Sequence, residues 1–166
     1  MPRSASVGGL AKRGVIPRKQ FYIKLFFFNT VILAARETTD VLTLDWPGDC
    51  EEPALYSLGR ALLLAGTRLL ELDSRELEVG IKHRQTGEPS ILLYDATPGG
   101  AGHCLELMNL GSVWLQKAGE ILRGSPEHHQ ACRRACLDCL LDFSGQFDAH
   151  RLDRKAGLHL LDAASL

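Results

Sequence analysis

The sequence predicts an α+β fold, in which a small antiparallel sheet is packed by helices. Short apolar or alternating segments lie before residue 95, and a stripe of apolar residues at helical spacing covers Pro53–Leu72. Further helical patterns follow towards the C-terminus. With 166 residues, the chain has the length of one ordinary domain. We expect a disordered basic segment over residues 1–20 and a single domain over residues 21–166.

Composition and charge divide the chain into two parts. Hydrophobic residues make up 45% and charged residues 23%, which excludes a wholly disordered, collagenous or coiled-coil protein. The net charge is −1, but the first 19 residues hold five basic side chains and no acid. Removing these five from the 19 basic residues leaves 14 against 20 acids, a net charge of −6. An acidic body restricts any contact with DNA to a local basic patch.

The first apolar run, Phe21–Ala35, follows the basic segment and resembles a membrane anchor or a signal peptide. A membrane-spanning helix needs about 20 apolar residues, and this run is shorter and contains Lys24 and Asn29. A signal peptide is the less favoured alternative, and we predict a buried strand. Thr39–Trp46 alternates apolar and polar residues, which predicts a second strand before the turn at Pro47.

A helix and a hairpin are predicted next. The apolar positions of Pro53–Leu72 recur every three or four residues, and extra leucines indicate burial on more than one side. Glu76–His83 and Ser90–Tyr94 read as two strands joined by a Gly-Glu-Pro turn. Later helical patterns cover His103–Asn109, Ser112–Leu122, Cys136–Phe143 and Arg151–Ala163.

Five cysteines are present, an odd number that argues against a secreted disulfide framework and favours a cytoplasmic protein. Cys132, Cys136 and Cys139, called the cysteine cluster below, have a spacing that suits Zn²⁺. Such a site would form a zinc knuckle near the C-terminus. Zinc needs a fourth ligand, and the candidates are His128, His129 and Cys104. The alternative treats the cysteines as small buried hydrophobic residues.

Helix geometry limits how a metal ion could be bound. In one straight helix, His128 and Cys139 would lie about 16 Å apart, too far to share an ion. A zinc site therefore predicts a break between Cys132 and Cys136, with Cys136 near the start of a new helix.

Two other groups of residues could carry function. The glycine-rich segment Asp95–Gly102 lies between a strand and a helix, where backbone N–H groups can bind phosphate. It lacks the Lys-Ser/Thr of a P-loop, so we favour a tight turn with glycines at positive φ. Arg133, Arg134 and Arg154 could form a nucleic-acid-binding patch, with scattered surface arginines as the alternative.

Five segments, in register, resemble a known family. They are Thr39–Leu42, Ser57–Leu62, Leu93–Asp95 with Pro98–Gly102, Ala135–Leu141 and Leu152–Arg154. Together they resemble the MrfA-type zinc-binding domain, which is found at the C-terminus of DEAD/DEAH-box helicases and in a component of the DISARM phage-defence system.

The resemblance implies a non-catalytic module that binds one zinc through four cysteines and works with a helicase in DNA repair or phage defence. The cysteine cluster falls on three of the family's ligand positions. The family's remaining cysteine lies two residues before Cys132, where this chain has Gln130, so His128, His129 or Cys104 would replace it.

The chain contains no P-loop and no DEAD-type box. We therefore expect no enzyme activity of its own. The partner would be a helicase motor subunit or missing helicase domains, with DNA contact possible and no membrane. Two other functions stay open: a small zinc hydrolase or nuclease with water as the fourth ligand, and a protein-interaction domain without nucleic-acid contact.

Overall fold

The computed structural model describes residues 25–27, 31–33, 38–46, 50–82, 89–143 and 145–164. The segment 1–20, where we expected disorder, lies outside the described residues. Strands β1 (Leu25–Phe27) and β2 (Val31–Leu33) pair antiparallel. The single strand predicted over Phe21–Ala35 is therefore wrong: a run of 15 residues is long enough to reverse direction and pair with itself.

The main sheet has three antiparallel strands: β3 (Val41–Asp45), β4 (Leu77–Lys82) and β5 (Ser90–Asp95). Their order is β3-β5-β4, so that β5 lies in the centre. The second predicted strand and the predicted hairpin are confirmed, as is the α+β class. Leu93, which is fully buried, pairs with both Leu42 and Val79 across the sheet.

Helix α1 (Glu52–Leu69) is buried on nearly every side, as its leucine-rich sequence predicted. One side packs on β4 and β5, and the other packs on α3 (Ser112–Arg123) and α5 (Arg154–Ala164). Small residues permit this close packing. A Cβ added at Gly59 would lie 3.1 Å from Val79 Cγ2, and one added at Gly157 would lie 2.8 Å from Ser57 Cβ.

The remaining helices are short. Helix α2 (His103–Leu110) and helix α3 follow each other across Gly111, as predicted. Helix α4 (Pro126–Ala131) leads to the cysteine cluster, and a 3₁₀ helix (Gln146–Arg151) precedes α5. Asp153 Oδ1 accepts hydrogen bonds from the N–H groups of Lys155 and Ala156 and so caps α5. In the described part of the chain, every helix is too short or too polar to cross a membrane.

The backbone N–H groups of the glycine-rich loop after β5 bind a carboxylate of the same chain segment, that of Asp95. Asp95 is 1% exposed, and its carboxylate accepts four hydrogen bonds from consecutive backbone N–H groups at the start of α2. The donors are Ala101, Gly102 and His103 to Oδ2, at 2.7, 2.8 and 3.2 Å, and Cys104 to Oδ1 at 3.1 Å. A carboxylate therefore occupies the place at the helix N-terminus where a bound phosphate would lie.

The turn that we favoured for this loop is confirmed. Gly99, Gly100 and Gly102 have φ values of 90°, 82° and 88°. At Gly100, a Cβ would also lie 3.1 Å from the backbone nitrogen of Asp40, so that the loop and β3 could not approach this closely.

We expect Asp95→Asn to lower the free energy of unfolding by about 3 kcal/mol, because an amide offers one acceptor oxygen to four buried N–H donors. Urea denaturation measures this change. Asp162→Asn is the matched control, since Asp162 forms an exposed ion pair with Arg123 and its loss should cost less than about 1 kcal/mol. Equal effects of the two substitutions would contradict the role assigned to Asp95.

Candidate metal centre

Helix α4 places His128 for the site. Ser125 caps the helix by accepting a hydrogen bond from the N–H of His128 at 3.1 Å, and Pro126 begins its first turn. Gly124, with φ of 61°, lies against the imidazole, since a Cβ there would be 2.6 Å from His128 Cδ2. The sequence Gly124-Ser125-Pro126 thus ends α3, starts α4 and leaves space for the ring.

The chain leaves the helical conformation at Cys132, whose φ and ψ are −88° and 107°. The predicted break between Cys132 and Cys136 is therefore confirmed. The helix predicted from Cys136 is wrong, because residues 137–140 form only a turn. In this turn the carbonyl of Cys136 accepts hydrogen bonds from the N–H groups of Cys139 and Leu141, both at 3.1 Å, which leaves no regular helical pattern.

Four side chains converge at the turn. The ligand atoms of His128 and the cysteine cluster all lie within 4.8 Å of one another. Cys139 Sγ is 4.0 Å from Cys132 Sγ and 3.9 Å from Cys136 Sγ. Two thiolates on one tetrahedral zinc are about 3.8 Å apart, whereas disulfide sulfurs are about 2.05 Å apart. The spacing therefore fits sulfurs that share an ion, and all are free thiols.

The buried surroundings of Cys139 disfavour its thiolate form unless a cation lies beside it. The pKa of the Cys139 thiol is raised to about 11, chiefly because of its burial; the N–H groups of Cys136 and Leu140 act to lower this pKa, and Cys132 and Cys136 add to the rise. The N–H of Cys136 donates to Cys139 Sγ at 3.2 Å. At neutral pH, the thiolate form of Cys139 therefore requires a positive charge beside it.

The imidazole of His128 also fits a metal ion. Its Nε2 atom is buried and has no hydrogen-bond partner among the described residues. A buried polar atom without a partner is unfavourable, and a ring nitrogen of His128 lies within 4.8 Å of the three sulfurs, where it is a suitable zinc ligand. The residues present therefore fit Zn²⁺, with His128 in the fourth place.

The other two candidates for the fourth ligand lie elsewhere. His129 Nδ1 is 3.4 Å from Nη1 of Arg154 rather than beside the sulfurs. Cys104 lies in the first turn of α2, where its thiol donates to the carbonyl of Leu93 at 3.4 Å. Burial and the charge of Asp95 raise the pKa of Cys104, which makes this thiol unreactive.

The three arginines expected to form a nucleic-acid patch do not share one exposed surface. Arg133 and Arg134 are exposed next to Cys132, and Arg134 donates to the carbonyls of Leu152 and His150. Arg154 is 0% exposed. The expectation that Arg154 contacts nucleic acid is corrected, because its guanidinium is enclosed by protein carbonyls.

Sequence reasoning missed Arg60. This residue of α1 is 8% exposed, donates to the carbonyl of Leu140 at 3.2 Å, and forms an ion pair with Asp142. It thereby ties the turn of the cysteine cluster to the core. The available signal was a single charged residue within the apolar stretch Leu58–Ala65.

A cleft of about 490 Å³ lies between α1, β4 and the 3₁₀ helix. Tyr56, Arg60, Val79 and Arg151 are among its lining residues, and neither His128 nor the cysteine cluster contributes to it. The candidate metal centre is thus separate from this cleft, unlike the metal of a hydrolase that binds substrate in a pocket.

Comparison with known proteins gives three matches. Residues 58–140 match the family model of the MrfA Zn-binding domain. The fold resembles the crystal structure of the DUF1998 helicase MrfA bound to DNA, with a TM-score of 0.57 and 23% identity over 80% of this chain. The Druantia protein DruE of Escherichia coli (strain UMEA 4076-1) is 36% identical over an alignment of 118 residues, which covers 66% of this chain.

This chain spans 18% of the MrfA structure and 6% of DruE. The family match covers 83 of 166 residues and includes His128 and the cysteine cluster. Since the match spans half of the chain, the protein belongs to the MrfA Zn-binding domain family.

Proposed function

We propose that this protein is a non-catalytic zinc-binding module that works with a DNA helicase, in DNA repair or phage defence. The helicase motor would be a separate subunit or further domains of the same protein. Residues 21–166 would form one domain behind a disordered basic segment, and the odd number of cysteines favours a cytoplasmic location. The likeness to MrfA and the family resemblance support the helicase association.

The convergence of four protein ligand atoms supports a structural metal. We assign Zn²⁺ to His128, Cys132, Cys136 and Cys139, whose ligand atoms lie within 4.8 Å of one another. Four protein ligands fill a tetrahedral site and leave no position for an activated water. The bound zinc would link the end of α4 to the turn of the cysteine cluster, and its binding would contribute to folding.

Exposed apolar side chains in and after the turn of the cysteine cluster favour a protein partner. Leu137, Phe143 and Phe147 are 80%, 88% and 80% exposed, although large apolar side chains are normally covered. They lie within 11 residues of sequence that begins inside the turn. Arg133 and Arg134 are the exposed cations beside Cys132, which makes DNA contact the second candidate for this surface.

Protein purified without added zinc should contain one zinc per chain, measured by elemental analysis. His128→Ala should weaken zinc binding by at least about 100-fold, because the site loses a ligand. His129→Ala and Cys104→Ala are matched controls that should retain zinc. Metal-free protein whose folding is unaffected by a chelator would contradict the proposal, and full retention by all three variants would favour an open, hydrolase-like site.

Binding to single- and double-stranded DNA should be weak, since Arg133 and Arg134 can neutralise about two phosphates. With residues 1–19 removed, because they hold five further basic side chains, a fluorescence anisotropy series should give a slope of log K against log salt no steeper than about −2. Arg133→Ala should reduce this slope by about 1, whereas Lys117→Ala, on the exposed face of α3, should leave it unchanged. A slope near −5 would show a larger DNA-binding surface and contradict this prediction.

A helicase motor encoded beside this protein should co-purify with it. Phe143→Ser and Phe147→Ser should weaken the complex, because both side chains would leave water on binding. Leu105→Ser is the matched control, since Leu105 is 52% exposed on α2. Isothermal titration with each folded variant measures the change. An unchanged dissociation constant for both phenylalanine variants would exclude this surface as the docking site.

A further inference from the structure

Arg154 is a fully buried cation at the start of α5, with an exposed fraction of 0%. Its guanidinium donates to the carbonyls of Leu122 at 2.8 Å, of His129 at 3.0 Å and of Cys132 at 3.0 Å. Within the described ranges, no carboxylate lies within ion-pairing distance of it. The hydrogen bonds of Arg154 are therefore satisfied, but its charge is not balanced by an acidic side chain.

Burying an unbalanced charge is strongly unfavourable. Carbonyl dipoles at the C-terminal ends of α3 and α4 compensate only part of this cost. An anionic group is needed nearby. The proposed ligand set meets this requirement, because three thiolates and one neutral imidazole around a divalent cation carry a net charge of −1.

The guanidinium also fixes the backbone that carries two of the proposed ligands. It holds the carbonyl of Cys132 through both Nε and Nη2, and it holds the carbonyl of His129, next to His128. The backbone N–H of Arg154 donates to the carbonyl of Arg134 at 2.8 Å. One residue of α5 therefore binds the chain before and after the break at Cys132.

We infer that Arg154 is a positioning residue of the metal centre and the counter-charge of its thiolates. This inference rests on the proposed zinc site. A lysine would retain the charge, but its single ammonium group cannot reach carbonyls of α3, α4 and Cys132 in the planar geometry that arginine provides. The contribution of the positive charge of Arg154 can therefore be separated from that of its hydrogen-bond geometry by substituting this residue.

The experiment compares Arg154→Met and Arg154→Lys with the parent protein. Zinc affinity is measured by competition with a chelator, and the coordination sphere is followed by the visible spectrum of the Co²⁺-substituted protein. We expect Arg154→Met to weaken zinc binding by about 100-fold and to alter the Co²⁺ bands, since charge and geometry are both lost. Arg154→Lys should weaken binding by about 10-fold.

Ile91→Ala is the control for general destabilisation. Ile91 is fully buried in β5, outside the proposed site, so its truncation should lower the unfolding midpoint without changing zinc affinity or the Co²⁺ spectrum. If Arg154→Met does not fold, Arg154→Lys decides the question.

Parental zinc affinity and an unchanged Co²⁺ spectrum in the Arg154 variants, despite lower stability, would overturn the inference. Failure of the parent protein to bind zinc or cobalt would instead overturn the proposed function.

Discussion

The burial of helix α1 on nearly all sides is the constraint on which the rest of the structure depends. Because Gly59 has no side chain, the sheet packs closely against one side of α1. On the other side, Ser57 packs against Gly157 of α5. Because α5 is held this closely, its first residue, Arg154, reaches the end of α4. From α1 itself, Arg60 holds the turn that contains Cys139 through the carbonyl of Leu140. Core packing thus positions both sides of the candidate metal centre.

Local sequence patterns predicted most of the fold, and the failures have physical causes. Helix α1 and the hairpin of β4 and β5 follow from apolar spacing and turn residues, which act within a few residues of each other. The segment after Cys136 has a helical pattern, but the carbonyl of Cys136 accepts two hydrogen bonds in a turn instead. The chain of 21–35 pairs with itself over the described residues 25–27 and 31–33.

For the candidate site, the spacing of the cysteines predicted that their three thiols converge and that the helix breaks after Cys132. It did not predict which side chain lies fourth beside them. His128 and His129 are neighbours, and only the orientation of α4 places the first one beside the sulfurs. The burial of Arg154 could not be predicted either, since its carbonyl partners come from three separate segments. Long-range contacts of this kind leave no periodic signal in one sequence.

The candidate metal ligands lie close together in the sequence, which affects the order in which the site can assemble during protein synthesis. All four candidate ligands lie between residues 128 and 139, so bringing them together closes only short loops and costs little chain entropy. During translation this segment emerges before α5. In the proposed zinc site, the ligands would therefore gather on the metal ion first, and the arrival of α5 would then complete the buried hydrogen bonds around them.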